Sequence, residues 1–79
     1  MKTTKLSLAA ALISLGAELD YVDKKNPRHM EFHLTFSAPF MDENEWLDSM
    51  VRAWESREMM VNARDYEDAL QKLKVEVHN

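Results

Sequence analysis

The chain has 79 residues, of which 46% are hydrophobic and 30% are charged, and it contains one Gly, two Pro and no Cys. This composition is typical of one small globular domain covering residues 1–79. It excludes a disordered chain, a disulfide scaffold, a thiolate zinc site and a membrane span. Because so short a chain buries only roughly 60% of its extended surface, little room remains for an enclosed active site. We therefore expect binding rather than catalysis.

The net charge of −4 is unevenly distributed along the chain. Residues 1–41 hold five Lys or Arg against four Asp or Glu, whereas residues 42–79 hold five against ten. The acidic excess argues against direct nucleic-acid binding, which needs a basic face, and suits a basic partner or no partner at all. The apolar stretch at residues 6–15 lacks a small-residue cleavage pattern after it, so we expect a cytoplasmic protein without a secretory signal.

The first predicted element is a helix rich in Leu and Ala, from Lys5 to Leu15. Thr4 is its expected N-cap, and Gly16 supplies the left-handed residue that ends it. Its broad apolar face predicts a mostly buried helix at the centre of the core.

A β-hairpin is predicted next, because the hydrophobic period changes from helical spacing to two. Ala17, Leu19 and Tyr21 are expected to point towards the core from the first strand. Residues 23–27 break this strand, and residues 30–36 alternate cleanly as the second strand, with Phe and Leu on one side.

The second helix is predicted to begin at Asp42. The Asp42 carboxylate is expected to accept from the Glu45 amide in a capping box, with Met41 packing on Trp46 as a hydrophobic staple. Amphipathic spacing then separates an acidic outer face from an apolar inner one. The inner side chains are Trp46, Leu47, Met50, Val51 and Trp54.

A short strand at residues 58–61 and a third helix capped by Asn62 complete the predicted order. The last helix has apolar residues at helical spacing and two expected charge pairs, Arg64 with Asp68 and Asp68 with Lys72. The sequence thus predicts an α+β domain in the order helix, strand, strand, helix, short strand, helix. The helices would pack on one face of a two- or three-stranded antiparallel sheet.

Neither a catalytic site nor a metal site is expected from the residue types and their spacing. The chain has no cysteine nucleophile, no Gly-x-Ser-x-Gly motif and no glycine-rich phosphate loop. His29 and His33 lie four apart on a strand, about 13 Å, which is too far for one shared ion, and Glu31 between them adds little. We expect no enzyme activity, no metal and no cofactor.

The acids at the start of the second helix are the candidate partner-binding residues. Asp42 begins a segment dense in carboxylates, and the proposed contacts are Glu43, Glu45, Asp48 and Glu55. Capping combined with a solvated face is the structural alternative, and an anionic patch that docks on a basic surface is the functional one.

Two other features leave alternatives open. Met59 and Met60 on the short strand would point to opposite faces, so an exposed Met at a sheet edge could form a homodimer seam. Lys24, Lys25 and Arg28 form a small basic cluster at the hairpin tip, which a DNA- or RNA-binding accessory protein could use, although a solvated loop is the better interpretation.

Three stretches share their pattern with a known family. They are the helix with Thr3, Thr4, Leu6, Leu8, Ala9, Ala10, Leu12 and Gly16, the strand with Phe32 and Phe36, and the block Val61-x-Ala63-Arg64-Asp65-Tyr66-x-x-Ala69-Leu70-x-x-Leu73-Lys74. In these residues the chain resembles a short domain of unknown function that is common in phages, prophages and other mobile elements. The resemblance implies a small protein deployed in a bacterial or archaeal host cell, and it implies no catalytic residue.

These observations together predict a non-enzymatic interaction protein of mobile-element type. Its specific form would be an inhibitor of a host nucleic-acid-handling defence complex, as anti-CRISPR proteins are, acting through the acidic helix face. The alternatives are a small DNA- or RNA-binding regulatory protein and a structural subunit of a virion or replication assembly.

Overall fold

The computed structural model describes residues 1–37 and 41–78. Its elements are β1 (Lys2–Thr3), α1 (Leu6–Ser14), β2 (Glu18–Asp23), β3 (Glu31–Thr35), α2 (Glu43–Glu55) and α3 (Ala63–His78). The three strands form an antiparallel sheet in the order β1-β3-β2, so that β3 is the central strand. The predicted α+β class is confirmed. The predicted element order is wrong, because the chain begins with a strand and has none between its last two helices.

The third strand lies at the N-terminus instead of at residues 58–61. The backbone nitrogen of Leu34 donates to the Met1 carbonyl at 2.8 Å, and the Met1 nitrogen donates to the Leu34 carbonyl at 3.2 Å, which seats β1 beside β3. Residues 58–61 form an irregular link between α2 and α3. The nitrogens of Glu58 and Met59 both donate to the Ala53 carbonyl, at 2.9 and 3.1 Å, so they are bonded to the end of α2 and not to a neighbouring strand. The predicted N-cap of α1 is also wrong, because the helix begins after Lys5 and not after Thr4.

Helix α1 is the buried centre of the core, as its composition predicts. Its buried residues are Leu8, Ala9, Ala10, Ala11 and Leu12. The helix ends at Gly16, whose φ of 116° is a conformation that glycine adopts readily. The Gly16 nitrogen donates to the Ile13 carbonyl and the Ala17 nitrogen donates to the Leu12 carbonyl, both at 3.0 Å. This pair of bonds is the Schellman motif, so the predicted glycine stop is confirmed.

The other elements contribute smaller parts of the same core. Phe32 and Leu34 of β3 are buried with Ala17, Leu47 of α2, and Ala69 and Leu73 of α3. The predicted alternation in β3 and the apolar faces of α2 and α3 are thereby confirmed. Half-buried side chains complete the packing, among them Trp46, Met50, Val51, Trp54, Met59, Tyr66 and Leu70.

Strand β2 contains a bulge that reverses its inward and outward sides. Leu19 pairs with Leu34, but Tyr21 pairs with His33, so one extra residue lies between them. Val22 consequently pairs with the buried Phe32, while Tyr21 is 52% exposed. The predicted inward orientation of Tyr21 is wrong, because strict alternation does not continue through a bulge.

The caps of the last two helices follow the predicted residues but not every predicted bond. Asn62 is confirmed, since its Oδ1 accepts from the nitrogens of Arg64 and Asp65 at 3.0 Å each. Asp42 accepts from the Asn44 nitrogen at 3.3 Å rather than from Glu45. The carboxylate is therefore bonded one residue earlier than a capping box requires.

Two expected side-chain interactions take a different form. Trp46 stacks on Phe36 with ring centroids 3.7 Å apart, and Met41, the proposed staple, is 47% exposed. Within the described ranges, neither Arg64 with Asp68 nor Asp68 with Lys72 forms an ion pair. These side chains are exposed, where an ion pair gains little over solvation.

Candidate functional site

Three of the four predicted acids lie exposed on α2. Glu45, Asp48 and Glu55 are on the side of the helix away from the core, and we call them the acidic α2 face. Ten residues of α-helix span about 15 Å, so the three carboxylates form a stripe of about that length. None of them makes a side-chain ion pair or hydrogen bond with another described residue.

Arg52 interrupts this stripe between Asp48 and Glu55. Its guanidinium Nε donates to the backbone carbonyl of Asp48 at 3.4 Å, so it is not paired with a carboxylate. The stripe therefore presents negative charge on both sides of one positive group. A partner that fits it would place basic groups at the two ends and an acidic or neutral group near the middle.

Glu43, the fourth predicted contact, has a different environment. It is half-buried, and its Oε1 accepts from the backbone nitrogen of Phe36 at 3.0 Å. This bond ties the first turn of α2 to the segment that follows β3. Glu43 therefore supports the fold at this point and is not one of the freely exposed carboxylates.

The opposite side of α2 is fixed to the core by two tryptophans, as the sequence predicts. Trp46 and Trp54 are both half-buried and pack against the core cluster. Trp46 also stacks on Phe36, ten positions earlier in the chain, and this contact lies at the start of α2. The acidic α2 face is thus presented by a helix whose position is set by packing.

A second group of titratable side chains lies on the sheet face opposite the core. Because residues of β3 alternate, Glu31 and His33 share the side that Phe32 and Leu34 do not occupy. Asp23 pairs with Glu31 across the sheet. One ligand atom from each of these three half-buried residues lies within 4.8 Å of the other two, and we call Asp23, Glu31 and His33 the outer-face cluster.

His33 carries an unsatisfied polar atom in this cluster. Its Nε2 is buried and has no hydrogen-bond partner among the described residues. Leaving a buried polar atom unpaired costs about 1–3 kcal/mol, which other features of a fold must offset. Such an atom is a reason to consider a ligand.

The neighbours of the outer-face cluster hold it in place. The Tyr21 ring stacks on the His33 ring at a centroid distance of 4.2 Å and an interplanar angle of 11°. Lys2 Nζ lies 3.4 Å from Glu31 Oε2. Asp23 Oδ1 accepts from the Lys25 backbone nitrogen at 3.0 Å, which orients its carboxylate at the start of the turn.

Sequence reasoning considered His33 and Glu31 but missed Asp23. It compared His33 with His29, which lies exposed in the hairpin turn and is not a member of the cluster. Asp23 joins Glu31 because the bulge shifts the pairing of β2 with β3 by one residue. A carboxylate at each end of the hairpin turn was a visible signal, although only the register brings the two together.

The remaining candidates lie apart from regular structure. Lys25 and Arg28 are exposed in the hairpin turn, where Asn26 Oδ1 accepts from the Arg28 nitrogen at 3.1 Å. Met60 is 88% exposed and Met59 is half-buried, so one Met is exposed as expected, but on an irregular link and not on a sheet edge. The strand-edge argument for a homodimer seam at these residues therefore no longer applies.

None of the described helices is both long enough and apolar enough to cross a membrane. Comparison of the chain with protein-family models, with curated proteins and with solved structures finds no match.

Proposed function

We propose that this chain is a non-enzymatic interaction protein that binds a basic surface of a protein or nucleoprotein complex through the acidic α2 face. The observation that carries the proposal is the exposure of Glu45, Asp48 and Glu55 without ion-pair partners among the described residues. Their charges are available to a partner, and no internal ion pair has to be broken on binding.

The physical case rests on charge and on rigidity. Complementary charges accelerate encounter and select among partners more than they add affinity, so binding should weaken as salt rises. Trp46 and Trp54 pack against the core, so the backbone of α2 is already ordered before binding. A preordered helix avoids part of the entropy loss that a flexible segment would incur.

The resemblance to a phage and prophage domain directs the choice of partner. In that setting we propose that the partner belongs to a host or phage complex in the cytoplasm of a bacterium or archaeon. The specific form is inhibition of a nucleic-acid-handling defence complex, as anti-CRISPR proteins do, by occluding a basic surface that otherwise holds nucleic acid.

The experiment compares two variants that have the same net charge. In the first, the three residues of the acidic α2 face, Glu45, Asp48 and Glu55, are replaced by lysine. In the matched control, three exposed acids of α3 are reversed instead, and these are Glu67, Asp68 and Glu76. The immobilised wild-type chain and both variants are used to capture proteins from bacterial lysate at low and high salt, and each captured protein is then purified for affinity measurement.

We expect the wild type and the α3 variant to bind the same basic protein, with affinity that falls as salt rises, and the α2 variant to lose it. An equal loss of binding in both variants would show that only net charge matters and would refute the site. Binding that the α2 variant retains would refute it as well. A gel shift of nonspecific DNA by the wild type at low salt would favour the nucleic-acid-binding alternative. Defined self-oligomers in sizing chromatography would favour the structural-subunit alternative.

A further inference from the structure

We infer that the outer-face cluster, Asp23, Glu31 and His33, binds a divalent first-row transition-metal ion, with zinc as the test ion. This site lies on the sheet and does not depend on the function proposed for α2. Two observations carry it: the convergence of three ligand atoms within 4.8 Å, and the buried Nε2 of His33 that has no partner among the described residues.

The donor set determines the class of ion. Two carboxylate oxygens and one imidazole nitrogen suit zinc and its first-row neighbours, whereas magnesium and calcium require mostly oxygen ligands and a higher coordination number. Three donors around one tetrahedral ion lie about 3.3–3.6 Å from each other when each bond is about 2.0–2.2 Å. The cluster therefore needs only a small contraction by side-chain rotation.

The backbone makes that contraction local. Asp23 and Glu31 pair directly across β2 and β3, and His33 is two residues beyond Glu31 on the same face. All three ligands thus come from one paired hairpin. Three protein ligands leave a fourth position for water, which is the arrangement of an open zinc site.

Tyr21 is the positioning residue of this site. Its ring stacks on the imidazole of His33 and lies nearly parallel to it, which limits the rotation of the histidine ring. A metal ligand held in one orientation binds more tightly than one that must be ordered on binding. Replacing Tyr21 with alanine is expected to weaken zinc binding, while Tyr21→Phe retains the ring and is expected to preserve it.

Lys2 is the natural competitor for the site. Its ammonium lies 3.4 Å from Glu31 Oε2, and the lysine side chain is 64% exposed. Because so exposed an ion pair contributes little, the lysine can turn into solvent when a metal binds. Removing the ammonium also removes the repulsion between it and the incoming cation, so Lys2→Ala is expected to bind zinc more tightly than the wild type.

The test is calorimetric titration of the untagged chain with zinc alone, followed by the same titration with magnesium. One zinc per wild-type chain is expected, and no magnesium. The ligand variants are His33→Ala, Glu31→Gln and Asp23→Asn, each expected to lower zinc affinity by roughly 10-fold or more. His29→Ala is the matched control, since His29 is exposed in the turn outside the cluster, and its affinity is expected to equal that of the wild type.

A spectroscopic measurement on the wild type keeps the test independent of whether a variant folds. Zinc is expected to shift the imidazole nitrogen resonances of His33 in nuclear magnetic resonance spectra and to leave those of His29 and His78 unchanged. Absence of binding at millimolar zinc would overturn the inference. So would binding that His33→Ala leaves intact, that His29→Ala abolishes, or that shifts the resonances of another histidine instead.

Discussion

Replacing Arg57 with glycine is expected to stabilise the protein, because Arg57 holds the left-handed position after α2. Its φ is 64°, and its nitrogen donates to the Trp54 carbonyl while the Glu58 nitrogen donates to the Ala53 carbonyl. This is the same Schellman motif that ends α1, where the corresponding residue is Gly16. The two helices therefore end in the same way, one with the residue suited to the turn and one without it.

The size of the effect follows from two opposing terms. The left-handed conformation costs a residue with a β-carbon roughly 1–2 kcal/mol, which glycine does not incur. Glycine has greater freedom in the unfolded chain, which opposes this gain by about 0.4–1 kcal/mol. The Arg57 side chain is exposed and makes no ion pair with the described acids, so little else is lost. A net gain of about 1 kcal/mol raises the melting temperature by roughly 4–8 °C in a domain of this size.

Urea denaturation followed by circular dichroism measures this gain as a higher midpoint at unchanged slope. Arg57→Ala is the matched control, since it removes the same side chain but keeps a β-carbon, and it is expected to give no comparable gain. Gly16→Ala is the reciprocal change. It is expected to lower stability by at least about 1–2 kcal/mol, because the φ of 116° lies beyond the usual left-handed region and the new β-carbon would lie 3.4 Å from Phe36 Cε2. Equal midpoints for Arg57→Gly and Arg57→Ala would refute the reasoning.

Three further predictions concern stability and are checked by the same urea denaturation. Leu73→Ala, at a fully buried position, is expected to lower the free energy of unfolding by about 2–5 kcal/mol. Val75→Ala, on the exposed side of α3, is expected to change it by less than about 0.5 kcal/mol. Similar losses for both would contradict the assigned face of α3. Asn62→Ala is expected to cost about 1 kcal/mol and more than Asp42→Ala, because Asn62 accepts two backbone hydrogen bonds at 3.0 Å and Asp42 accepts one at 3.3 Å. Lys2→Ala is expected to change the free energy of unfolding by less than about 0.5 kcal/mol at any salt concentration, because its ion pair is largely exposed. A larger loss would mean that Lys2 holds β1 in the sheet.

The helices of this chain could be predicted from sequence because their signals are local. Gly16 and Asn62 act through bonds to residues within five positions, and the apolar spacing of each helix needs no knowledge of its partners. The same reasoning predicted that Glu45, Asp48 and Glu55 would be exposed. These features depend on one helix at a time.

What could not be predicted depends on contacts between distant segments. The pairing of Met1 with Leu34 joins residues 33 positions apart, and two strand residues are too few to show a pattern. The bulge before Tyr21 is set by how β2 fits against β3 and the core beneath, so alternation alone gave the wrong side for this residue. The outer-face cluster depends on that bulge, and it was missed for the same reason.

The short strand β1 also has a consequence for the order in which the domain folds and opens. The β2–β3 hairpin and α1 close through local contacts, whereas β1 must close a loop of 33 residues to reach Leu34, which is slower and entropically more costly. We expect β1 to dock late and to open first, so the Leu34 amide exchanges with solvent faster than the β3 amides bonded to β2. Each opening turns β3 from a central strand into an edge, with its unpaired backbone exposed to a neighbouring molecule. The two-residue strand thus covers one side of β3, while β2 remains the other edge of the sheet.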